Sequence, residues 1–264
     1  MKYILFCLCL LGTQLYAQTT QPAEKQPVEK SPEKVIKNGP NERRLRPNTK
    51  PAATDESKID EKQKPMTEEI MLSDVEKLNK FGIADSEKNA LGGLKGEEKA
   101  PNFSGVDQHG DMINLADMVK EGEVVVFFYR GYWCGICNRY LAEMESQLSK
   151  ITDKGAKVVA ITSESNEFAK KTSDKNNLSF SVISDKDASI MRDYKVLFET
   201  TEAYQKKVSS YTKSSLEKFN DSKDALLPIP ATYIIDKQGK ISYVHYSSDY
   251  SKRASVEEIV KYLK

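Results

Sequence analysis

Residues 123–130, EVVVFFYR, form an apolar, β-branched and aromatic run without a single alternating polar position. A strand with one wet face alternates with period two, so this run reads as a strand buried on both faces that needs cover on each side. KVVAIT (157–162) is a second buried strand and FSVIS (180–184) a short one. ATYIID, the turn KQGK and ISYVHY read as a hairpin. Between and after them lie helical stretches. Leu141, Met144, Leu148 and Ile151 recur at helical spacing before Gly155, and ESNEFAKKT opens a helix near Ser165. SVEEIVKYL begins with a capping box, Ser255 to Glu258. Residues 187–222 read as helical and polar, longer than a simple connection requires. APNFSGVDQHGDMINL reads as two short extended pieces around a His-Gly turn.

The order predicts an α/β class: a mixed central β-sheet flanked by helices, in the arrangement of a thioredoxin-like fold. That domain spans 95–264. Residues 66–94 are expected to be a helical extension, with Met71, Val75 and Leu78 on one face and Gly82 as C-cap. Residues 18–65 hold seven of the ten prolines and no aromatic residue. Such a stretch buries too little to offset its conformational entropy and reads as a disordered linker. Residues 1–17 carry Lys2, an apolar core from Ile4 to Leu11, and Ala17 before Gln18, the pattern of a signal peptide. The apolar run is short of the roughly 20 residues that span a bilayer. The expectation is therefore no membrane span and an exported protein, periplasmic or secreted. Forty basic against thirty-nine acidic residues leave no surplus that would point to nucleic acid.

Of four cysteines, Cys7 and Cys9 leave with the signal, and Cys134 and Cys137 remain, spaced C-x-x-C. A strand that ends in this motif and feeds a helix puts the first cysteine at the helix N-terminus. Unpaired N–H groups and the dipole favour an accessible thiolate there. Cys137, almost one turn on, can resolve any adduct formed on Cys134. A four-residue loop constrains the unfolded chain little, so a structural staple is a poor explanation. A zinc site lacks further cysteines and has only His109 and His245 to draw on. No metal and no cofactor are expected. Pro230, before a strand, either holds the Ile229 backbone beside the sulfurs to pair with an extended substrate, or is simply a proline at a strand's first residue. Trp133 reads either as a contact surface for substrate or as a core residue. Arg130 reads either as support for the thiolate or as a solvated strand end.

APNFSGVDQHGDMINLADMVKEGEVVVFFYRGYWCGICNRYL, together with LPIPATYIIDKQGKISYVHYSSDYSKRASVEEIVKYL, resembles the peroxiredoxin-like branch of the AhpC/TSA redoxins. The resemblance implies a thioredoxin fold and thiol-dependent reduction of hydroperoxides with electrons from thioredoxin. It makes Cys134 peroxidatic and Cys137 resolving. Phe127 and Gly131 stand where typical peroxiredoxins carry proline and a threonine or serine, and Phe128 where thioredoxins carry a buried acid. The first expectation is thiol–disulfide exchange with a protein partner or a thioredoxin-like reductant. The alternative is peroxidase action on a small hydroperoxide. A remote third is copper delivery through the cysteines and His245.

Overall fold

The computed structural model describes residues 75–264, with side chains from Leu78 onward. The expected signal peptide, the linker and the first part of the extension lie outside the described residues. In chain order the elements are α1 (Val75–Lys80), β1 (Ser104–Val106), β2 (Met112–Asn114), α2 (Leu115–Glu121), β3 (Val124–Phe128), α3 (Gly135–Ser146) and α4 (Ser149–Thr152). They continue with β4 (Lys157–Thr162), α5 (Asn166–Asn176), β5 (Ser181–Ser184), α6 (Ser189–Asp193), β6 (Leu197–Glu199), α7 (Glu202–Thr212) and α8 (Leu216–Asn220). The chain closes with β7 (Leu226–Pro228), β8 (Ala231–Ile235), β9 (Ile241–Tyr246) and α9 (Val256–Tyr262).

The central sheet runs β5-β4-β3-β8-β9. β4 lies parallel to β3 and to β5, while β8 is antiparallel to both β3 and β9. All five residues of β3 are fully buried, as the absence of alternation requires of a strand covered on both faces. The hairpin of β8 and β9 forms as expected, with Asp236 N–H donating to the Lys240 carbonyl across the turn. Helix caps follow the local sequence: Ser165 Oγ accepts from Phe168 N–H, and Ser255 Oγ from Glu258 N–H at 3.1 Å. The expected helix after the cysteines is two pieces, α3 and α4. Leu141, Met144 and Ile151 are buried and Leu148 half-buried.

Two expectations need correction. Residues 187–222 are not uniformly helical, because β6 lies among the helices and pairs antiparallel with β7. Nor is the described part of the 66–94 extension helical beyond α1. Gly82, at φ +81°, ends that helix, with Ile83 N–H reaching the Leu78 carbonyl. The chain then runs along β6: Ala84 N–H donates to Glu199 O at 2.8 Å and Ala90 N–H to Leu197 O at 2.9 Å. Backbone groups that a helix would satisfy internally are satisfied here by a strand edge.

Candidate active site

Tyr129 N–H extends the β3–β4 pairing to Ile161 O, and the chain then turns at Gly131, φ +151°. Cys134 N–H donates to Gly131 O at 3.0 Å, and Cys134 is the N-cap of α3. Its Sγ accepts the Cys137 N–H at 3.3 Å. The sulfur thus takes the place of a capping oxygen at the positive end of a twelve-residue helix. The two sulfurs are in bonding contact, with Cα atoms 5.2 Å apart, inside the usual range for a disulfide. Cys137 is fully buried and Cys134 only 3 % exposed, more shielded than an accessible thiolate was expected to be. Cys134 meets solvent through a cleft of about 290 Å³.

A guanidinium stands against each sulfur. Arg130 Nη2 donates to Cys134 Sγ at 3.2 Å, and Arg253 Nη2 to Cys137 Sγ at 3.3 Å. Arg130 is buried rather than solvated, its guanidinium 3.6 Å from the Tyr250 ring centroid and 5.4 Å from that of Trp133, with Nη1 bonded to the Tyr204 hydroxyl. Arg253 is anchored by Nε on Tyr250 O at 3.2 Å and Nη1 on Phe128 O at 3.3 Å. Burial lowers both arginine pKa values, that of Arg253 to about 10, and a guanidinium is the side chain that most firmly keeps its proton. Among the described residues neither has a carboxylate partner. The sulfurs are therefore the natural recipients of both charges.

Trp133, expected as a possible substrate surface, is 9 % exposed and packed between Tyr204 and Phe219 at 6.4 and 6.5 Å. It is a core residue. Ile229 is buried and its amide is already taken by Val196 O at 2.6 Å, while Pro230 O accepts from Ser247 N–H at 3.3 Å. The Ile229 amide, expected as one possible contact for an extended substrate, is thus paired within the chain by the residue just before β6. His245 sits on β9 opposite Thr232 with its Nε2 buried and unpaired. Among the described residues no three His, Cys, Asp or Glu side chains gather as a metal-binding group, so the copper arrangement does not form.

Two neighbours carry no local sequence signal. Glu164, in the turn between β4 and α5, is fully buried, and its Oε1 accepts Tyr132 N–H at 2.6 Å. Burial pushes its pKa up to about 8. Its carboxyl fills the space beside Gly131, where an added Cβ would lie 2.6 Å from Oε1. Asn138 Nδ2 clamps the turn by donating to Tyr132 O and Cys134 O at 2.7 and 2.9 Å, and Asn176 in turn donates to Asn138 Oδ1.

The AhpC/TSA family model matches residues 97–244. Thiol-disulfide oxidoreductase ResA of Bacillus cereus is 28 % identical over 160 residues, 60 % of this chain and 71 % of the relative. Peroxiredoxin Bcp of Escherichia coli is 26 % identical over 151 residues, 57 % of this chain and 85 % of the relative. Among solved structures, peroxidoxin BcpB from Mycobacterium tuberculosis superposes with a TM-score of 0.52 at 18 % identity. That match covers 64 % of this chain and 96 % of the other, and it is a likeness of fold.

Proposed function

The chain belongs to the AhpC/TSA family, and from that premise we propose that it is a thiol–disulfide oxidoreductase in which Cys134 exchanges disulfides and Cys137 resolves them. The observation that carries this reading is the pair of guanidinium groups, one donating to each sulfur. A substrate thiolate attacks Cys134 Sγ, the bond to Cys137 breaks, and Cys137 leaves as a thiolate received by Arg253. A second substrate thiolate then displaces Cys134, which leaves as a thiolate held by Arg130 and the helix N-terminus. Two electrons pass from two substrate thiols to the pair, and the reverse sequence oxidises the pair and reduces a substrate disulfide. Charges that stabilise both thiolates stabilise the reduced form and move the couple toward the oxidising end of the ~−270 to −120 mV range. The partner is a protein thiol or disulfide, or a thioredoxin-like reductant. The leader sequence supports export, with cleavage near Ala17.

Gly131 favours this reading over peroxide reduction, since the side-chain position that would carry a peroxide-orienting hydroxyl is filled by Glu164. Turnover of a protein disulfide in the presence of a reductant tests it. Cys134→Ser is expected to abolish turnover, and Cys137→Ser to accumulate a mixed disulfide on Cys134. Residual turnover in Cys134→Ser refutes the assignment. The similarity to peroxiredoxin Bcp supports a second reading, hydroperoxide reduction through a sulfenic acid on Cys134 captured by Cys137. It requires dimedone labelling of Cys134 in the Cys137→Ser variant at modest peroxide.

A further inference from the structure

The cleft over Cys134 is walled by α7 and by the first turns of α3. Tyr204, Lys207, Val208 and Tyr211 follow at spacings of three, one and three along α7, so one face of the helix turns toward the sulfur. Arg139, two residues beyond Cys137 on α3, and Arg130 complete with Lys207 a set of three cations, and no carboxylate lines the cleft. Among the described residues neither Arg139 nor Lys207 pairs with an acid. Arg130 is itself 4 % exposed, with Nε unpartnered. Buried or convergent positive charge without a counter-charge is the condition for anion recognition. The volume, about 290 Å³, is at the lower edge of small-molecule sites.

We propose that this cleft binds a small carboxylate-bearing disulfide, or the thiol it yields, with its sulfur on Cys134 and its carboxylates on Lys207 and Arg139. The inference rests on the disulfide-exchange reading and names its substrate class. The Cys134 thiolate bonds to one substrate sulfur while the substrate S–S bond breaks, and the first thiolate leaves to be protonated by water. The Cys137 thiolate then attacks Cys134 Sγ, the second thiolate leaves, and two electrons have passed from the protein dithiol to the small disulfide. The tyrosines on the cleft wall add apolar contact for the carbon chain between sulfur and carboxylate.

Single-turnover oxidation of the reduced full-length protein, followed by the fluorescence of Trp133, tests this with three probes: dianionic dithiodipropionate, neutral hydroxyethyl disulfide and dicationic cystamine. Dithiodipropionate is expected to react on the order of tenfold faster than cystamine at low ionic strength, although cystamine has the better leaving group. The preference is expected to shrink once the Debye length falls below about 10 Å. In the double variant Arg139→Glu, Lys207→Glu the order is expected to invert. Lys240→Glu, at the end of the sheet remote from the cysteines, is expected to leave it unchanged. Reaction with all three probes in leaving-group order, unaltered in the double variant, overturns the cleft assignment alone. Failure of all three probes to react while a protein disulfide is still turned over overturns this inference alone, and failure of the protein disulfide as well overturns the exchange reading with it.

Discussion

Gly131 holds the backbone at φ +151°, a region that L side chains rarely adopt, and the space a Cβ would need belongs to Glu164. The departure from the typical peroxiredoxin pattern is therefore built into the local packing. The arginines make the sharpest prediction at this scale. Replacing Arg253 by Met is expected to lower the reduction potential by roughly 30 mV, equivalent to a tenfold change in the exchange equilibrium with glutathione. Arg130→Met is expected to do the same and also to raise the Cys134 thiol pKa, read by thiolate absorbance. Equilibria unchanged in both variants refute the charge argument. Glu164 makes a prediction about pH. Its folded pKa, about 8, lies above the ordinary 4.5. Between those values the native state binds the extra proton, so this group's contribution is full below about pH 4.5 and is lost as pH rises to about 8. The slope is about 1.4 kcal/mol per unit. Urea midpoints across that window are expected to fall less steeply in Glu164→Gln, whose amide keeps the acceptor for Tyr132 N–H.

At the scale of elements, α7 is the longest of the elements that fill the chain between β5 and β8. It is polar along most of its surface, and its one organised face serves the cleft. The strand β6 within the same region escapes a reading by periodicity because it has three residues, too few to express one. It exists because β7 and the chain after α1 offer it hydrogen-bond partners. α7 is fixed at its start by Thr201, whose Oγ1 accepts Tyr204 N–H at 3.2 Å. Thr201→Ala is expected to cost about 1 kcal/mol in unfolding free energy. It is also expected to slow dithiodipropionate more than hydroxyethyl disulfide, since the loosened helix carries Lys207. Equal slowing of the two probes contradicts the role given to α7.

For the whole molecule, the short loop between the cysteines gives a disulfide little leverage over the unfolded chain, while two guanidinium groups favour the reduced thiolates. The reduced protein is therefore expected to be the more stable form, with a higher urea midpoint at pH 7 than the oxidised one. A higher midpoint for the oxidised form counts against charge stabilisation of the pair. The five strands of the central sheet, the helix starts at Ser165 and Ser255 and the position of Cys134 at a helix start were legible from sequence, because each depends on neighbours a few residues away: an apolar run, a Ser before a helix, a C-x-x-C after a strand. The environment of the sulfurs was not. Arg253 lies 116 residues from Cys137, Glu164 32 from Tyr132, and Lys207 on a helix with no local mark of its purpose. Local periodicity and capping act over one or two turns, whereas burial, charge and the pairing of the Ile229 amide with Val196 O arise only when the fold brings distant segments together. The chain alone set the chemistry available at Cys134, and the fold decided which charges act on it and what can reach it.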